Sequence, residues 1–104
     1  MKQDTEPTTV IFRKYPGGDI IALFPYVIAD SAGYFCQSYQ HIGQHGGADY
    51  HAVLSQTQPA RLSEYLDLGE ELESIGYFLD IRRRRNHSKW REAYEENRRQ
   101  LAGA

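Results

Sequence analysis

The sequence predicts an α+β fold: a mainly antiparallel sheet of four or five strands with one helix packed on a face, followed by a C-terminal helical tail. Three observations predict it. Short runs rich in β-branched and aromatic residues recur between residues 10 and 39, separated by turns that contain Gly and Pro. From residue 59 the apolar spacing lengthens to that of a helix. Beyond residue 86, charged residues surround a narrow apolar stripe.

The runs VIFRKY at 10–15 and DIIALF at 19–24 read as two strands, joined by Pro16, Gly17 and Gly18 in a tight hairpin. Pro25 is expected to stop the second strand, because it has no N–H for a ladder. After the turn-like segment 30–33, YFCQSY at 34–39 reads as a third strand. Residues 40–49 hold three glycines and follow neither period, which predicts a loop. Residues 50–54 fit a short strand or a turn or two of helix capped by Asp49, and strand is the preferred assignment. Leu62, Tyr65, Leu66, Leu72 and Ile75 then form one apolar stripe of a helix that starts at Pro59 or Ser63. Gly76 is placed to end it in a left-handed conformation, with Tyr77 folding back on Leu72. Tyr77, Leu79 and Ile81 alternate with Phe78, Asp80 and Arg82 as a last strand. The tail sets Trp90, Ala93, Tyr94 and Leu101 on one side of a helix too weakly apolar to stand alone. The expected organisation is a polar arm over 1–9, one domain over 10–85 and a basic amphipathic tail over 86–104.

With 104 residues the chain suits one core, and eight Tyr, four Phe and one Trp let a short chain build it without staples. The lone Cys36 rules out an internal disulfide. The polar start of the chain resembles no secretory signal, and no stretch is apolar enough to cross a bilayer, so a cytoplasmic protein without membrane contacts is expected. The net charge of −2 is divided unevenly. Residues 1–79 carry four Lys/Arg against ten Asp/Glu, and residues 80–104 carry eight against four, so the end of the chain favours an anionic partner or its own acidic body.

Three sets of residues could carry function. His41, His45, Asp49 and His51 are of the types that hold zinc, but a His-x3-His spacing aligns ligands only on a helix, and Gly43, Gly46 and Gly47 oppose one. The plainer reading is polar loop residues bonded to nearby backbone. Cys36 beside His41 or His45 is the nearest approach to a nucleophile and base, although a thiol in mid-strand is more often a small buried apolar group. Glu70, Glu71 and Glu73 look like the solvent face of a helix. Neither Pro16–Gly18 nor Gly43–Gly47 has the spacing of a phosphate-binding loop, and no cofactor is expected.

Arg82, Arg83, Arg84 and Arg85, followed by Lys89 and Arg91, suit the phosphates of nucleic acid, with Trp90 and Tyr94 available to stack on bases. Opposing this are a pI near 6.0 and the intervening Glu92, Glu95 and Glu96; the plainer reading is a solvated charge run that protects a sheet edge. Trp90, Tyr94 and Leu101 alternatively offer an apolar stripe to another protein or to a second copy. Protein binding without catalysis is the leading expectation, nucleic-acid binding the second and a metal site open to hydrolytic chemistry the third.

The segment YQHIGQHGGADY at 39–50 resembles the central signature of a small, uncharacterised bacterial and phage family, and VIFRK at 10–14, IALFP at 21–25 and EELESIGY at 70–77 are similar to its other landmarks. The likeness spans residues 8–82 and leaves out the tail. It implies a bacterial or phage accessory protein and brings no chemistry with it.

Overall fold

The computed structural model describes residues 6–41 and 43–103. Six strands and three helices appear among them, in the order β1 (Thr8–Lys14), β2 (Ile20–Ile28), β3 (Phe35–Gln40), β4 (Gln44–Asp49), α1 (Tyr50–Gln56), β5 (Gln58–Pro59), α2 (Leu62–Ser74), β6 (Leu79–Arg82) and α3 (His87–Gly103). The sheet runs β4-β3-β2-β1, and the far side of β1 is shared by two short strands. The antiparallel β5 takes Arg13 and Lys14, whereas β6 runs parallel to β1 from Thr8↔Leu79 to Ile11↔Arg82.

The 15–19 hairpin forms as its residues require. Gly18 N donates to Tyr15 O at 2.8 Å, and Gly18 takes a φ of 103° that a side chain would resist. β1 begins at Thr8, whose N–H donates to Phe78 O at 2.6 Å, so the expected 1–9 arm gives up its last two residues to the sheet. Residues 1–5 lie outside the described residues.

Pro25 does not stop β2. The strand continues to Ile28 through a bulge in which the partner of Phe24 is Gln37 and that of Ile28 is already Cys36, so Pro25 sits where no ladder donor is needed. Residues 44–49 are also a strand rather than a loop, because β3 offers a full antiparallel edge from Phe35↔Asp49 to Gln40↔Gln44. Pairing of this kind overrides weak propensity. Residues 50–54 are helical: Asp49 Oδ1 accepts from Ala52 N at 3.1 Å, and Tyr50 and Val53, three apart, turn inward together.

Both faces of the sheet are covered, so the expectation of one packed helix is too small. Val10, Phe12, Ala22, Phe24 and Tyr39 pack under α2, while Ile11, Ile21, Leu23 and Cys36 pack with Tyr50 and Val53 of α1 on the other face. Buried Arg13 ties α1 down, donating to Leu54 O at 3.2 Å, Thr57 O at 2.7 Å and Thr57 Oγ1 at 2.9 Å. These bonds satisfy carbonyls that the end of a helix leaves free.

The α2 stripe is rotated from its expected position. Tyr65, Leu68, Gly69 and Leu72 face the sheet, whereas Leu62, Leu66 and Ile75 are 62%, 47% and 52% exposed. The helix starts at Leu62 rather than at Pro59 or Ser63; Glu64 Oε1 accepts from Arg61 N at 2.8 Å in the first turn, and Pro59 belongs to β5. Its end follows the expected Schellman pattern, with Tyr77 N donating to Leu72 O and Gly76 N to Glu73 O, both at 3.1 Å.

The C-terminal tail is α3, packed along β2. Asn86 caps it by accepting from Lys89 N at 2.9 Å. Trp90 and Tyr94 stack on one another with ring centroids 5.3 Å apart and close over Gly33, which has a φ of 82°. A Cβ on Gly33 would come within 2.6 Å of Tyr94 Cδ1. The helix thus obtains from the domain the support that its narrow apolar face requires. No described helix is long and apolar enough to cross a membrane.

Candidate nucleic-acid interface

The four arginines lie where the sheet runs out of partners. β6 can follow β1 only to Ile11, because β5 occupies the next positions, so the chain leaves the sheet after Arg82 and turns into α3. Two tyrosine hydroxyls secure this turn: Tyr50 accepts from Arg85 N at 3.2 Å and Tyr26, displaced by the β2 bulge, accepts from Asn86 N at 2.7 Å.

The arginines have different tasks. Arg85 is held between the rings of Tyr50 and Trp90, its guanidinium carbon 4.2 and 4.6 Å from their centroids, and donates to His51 Nε2 at 3.2 Å. Arg82 Nε lies 3.0 and 3.1 Å from the two oxygens of Asp80. Arg83 and Arg84 are exposed and make no hydrogen bond or ion pair with a described residue. Two unspent cations therefore stand between two that are fixed.

These side chains border a cleft of about 510 Å³, to which β1 and β2 contribute Thr9 and Tyr26, and the start of α3 contributes Asn86, His87 and Lys89. Arg82, Arg83, Arg84, Arg85 and Lys89 face it, with Asp80 as the one carboxylate in its lining among the described residues. Such an arrangement attracts phosphate, which guanidinium groups bind with two parallel N–H donors. Lys89 and Tyr26 also border a second, more open depression of about 600 Å³ along α3. Arg91, the remaining expected contact, lies 3.6 Å from Glu95 and lines neither depression.

The histidine set is divided by the fold. His41 and His45 lie with Tyr39 on the α2 face: His41 Nδ1 is 2.5 Å from Glu71 Oε1, Tyr39 donates its hydroxyl proton to Glu71 Oε2, and His45 Nε2 is 3.0 Å from the Tyr77 hydroxyl. The bond to Glu71 holds the Tyr39 phenol above its ordinary pKa. Asp49 is spent capping α1, and His51 is on α1 beside Arg85. Among the described residues no group of three or more His, Cys, Asp or Glu side chains could hold a metal ion.

Cys36 packs on the opposite face from His45, and burial pushes its thiol up to about 11, so it is protonated at neutral pH. Trp90 and Tyr94 are partly buried in the docking of α3, and Leu101 is 54% exposed. Glu71, read from the sequence as a solvent-facing carboxylate, is in fact bonded to Tyr39 and His41. Thr9, Tyr26 and Asp80 were not legible as parts of the cleft, since they reach it from strands far away in the chain. The alternation of Asp80 with Ile81 was the one available signal, because it sets Asp80 and Arg82 on the same side.

The scan of family models found no match, and neither the search of curated proteins nor that of solved structures found any.

Proposed function

We propose that this chain is a small nucleic-acid-binding accessory protein, of the bacterial or phage kind that its 39–50 segment suggests, and that it binds the phosphate backbone without catalysis. The observation that carries the reading is the cleft where, among the described residues, five cations meet one carboxylate and three of those cations, Arg83, Arg84 and Lys89, have no internal partner. Fixed Arg85 and capped α3 hold the backbone of the cleft in place, so binding orders the side chains of Arg83, Arg84 and Lys89 without rearranging the turn that carries them. Contacts of this kind go to the phosphate backbone rather than to base edges, which gives affinity without sequence readout.

Anisotropy titrations of labelled oligonucleotides over a range of salt test it. Three phosphates neutralised by Arg83, Arg84 and Lys89 give a slope of log K against log salt of about −2 to −3. Arg83→Ala with Arg84→Ala should flatten it by roughly 1.4–1.8. Failure to bind at low ionic strength, or a slope unaltered by the two substitutions, refutes the reading.

A second reading, contact with another protein or a second copy through α3, is left with Leu101 and the outer charged face, because Trp90 and Tyr94 are engaged by Gly33 and Arg85.

A further inference from the structure

The junction between β5 and β6 leaves a gap beside β1. β6 stops opposite Ile11 and β5 begins opposite Arg13, so at Phe12 the edge of β1 is met only by Ala60 N, which donates to Phe12 O at 3.1 Å. On the α2 face this gap is an open slot of about 280 Å³. Phe12, Leu62, Tyr65 and Ile81 supply apolar surface, and the ring of Tyr65 lies flat on that of Phe12, 4.3 Å between centroids and 2° from parallel. The rotation of α2 leaves Leu62 on the rim rather than in the core, and Ile81 is 45% exposed.

Two features define what enters the slot. Among the described residues no carboxylate lines it, and Arg82 and Arg83 border both the slot and the basic cleft. Because strand residues alternate in direction, Ile81 faces the slot while Asp80 and Arg82 face the cleft, and only the four-residue strand β6 separates them. A ligand crossing β6 therefore meets a row of cations and, immediately beside it, a flat apolar recess. A chain of phosphates carrying planar bases has that alternation; a duplex does not, since its bases are stacked inside and releasing one is costly.

We infer that cleft and slot form one site for single-stranded nucleic acid, with phosphates on Arg83, Arg84 and Lys89 and one unpaired base inserted between Leu62 and Ile81 over Tyr65. This rests on the nucleic-acid reading above and adds the strand state of the ligand. An acidic peptide with an apolar anchor also matches the charge; the aromatic floor that Tyr65 gives the slot favours a planar base, and the peptide is an outcome of the test.

The test compares the affinity of the full chain for a labelled oligothymidine and for a duplex of equal length, in the wild type and in Leu62→Ser with Ile81→Thr. Both residues are exposed, so the variant should fold, which thermal melting followed by circular dichroism verifies. The expected result is about a tenfold preference for the single strand, the order of one stacked base, lost in the variant while its salt slope stays the same. Equal affinity for both forms, or a preference that survives in the variant, overturns the inference and leaves the phosphate reading intact. Absence of any binding overturns both. Displacement of the single strand by an acidic leucine-bearing peptide at equal concentration would assign the slot to a protein segment and overturn the inference as well.

Discussion

Gly33 is the position where one added methyl group should separate α3 from the rest of the molecule. Its φ of 82° lies in the left-handed region, which costs an Ala roughly 1–2 kcal/mol. The new Cβ would also lie 2.6 and 2.8 Å from two Tyr94 ring carbons and 3.3 Å from Trp90 Cζ2. Neither ring can simply rotate away, because the two are stacked and Trp90 is covered by Arg85. Overpacking of this type adds about 1–3 kcal/mol, so Gly33→Ala should lose about 2–5 kcal/mol in all. Gly18→Ala is the control, having a φ of 103° but nothing within 4 Å of its Cβ, and should lose only the backbone part. Urea unfolding followed by circular dichroism measures the total, and the emission of Trp90, the sole tryptophan, reports α3 docking separately. If Gly33→Ala costs no more than Gly18→Ala and leaves the Trp90 emission unchanged, α3 does not lie where the ring contacts require.

Other substitutions address other joints. Arg85→Lys keeps the charge but loses the planar stacking between Tyr50 and Trp90, and should red-shift Trp90 emission and destabilise the fold by about 1 kcal/mol in urea. Arg13→Lys cannot reproduce three bonds from one guanidinium and should cost about 2 kcal/mol in the same measurement. Burial raises the Cys36 thiol from 9.0 to about 11, so the folded form holds its proton longer than the unfolded one. Its contribution to stability is whole below pH 9 and falls away towards pH 11, a decline that should be shallower in Cys36→Ala and accompanied by slow thiol alkylation of the native wild type. Glu64 is held below its ordinary value, first by the Arg61 backbone N–H and then by Lys14, so its contribution is present above pH 4.5 and lost as pH falls. Acid titration of Glu64→Gln should show a weaker decline below that pH.

How much of this was legible in the sequence varied with the range of the interaction. Residues 15–18 carry their own turn chemistry, and Gly76 with Tyr77 carries the ending of α2, so both were readable locally. Alternation and period also gave the first three strands and the two longer helices, with errors at Pro25 and at the start of α2. The segment 44–49 was not readable, because two exposed glycines and a histidine become a strand only when β3 lies alongside. The α2 stripe was misplaced for a related reason: Leu62, Leu66 and Ile75 are as apolar as Leu68 and Leu72, and only the position of Phe12 and Phe24 decides which set is covered.

The same division holds for the candidate site. A run of four arginines announces an anion-seeking surface by itself, since no domain of this size can bury four guanidinium groups. Which arginines are free is a tertiary matter, set by Tyr50, Trp90 and Asp80 claiming Arg85 and Arg82 and leaving Arg83 and Arg84 to solvent. The four histidine-region residues likewise lie close in the chain, but a strand followed by a helix turns them to different neighbours. Composition and period thus fixed the kind of most elements, though not of β4 or α1, and the sign of the surface charge, because they act within a few residues. Strand pairing and helix rotation fixed which side chains remained for a ligand, because they depend on contacts made across the whole chain.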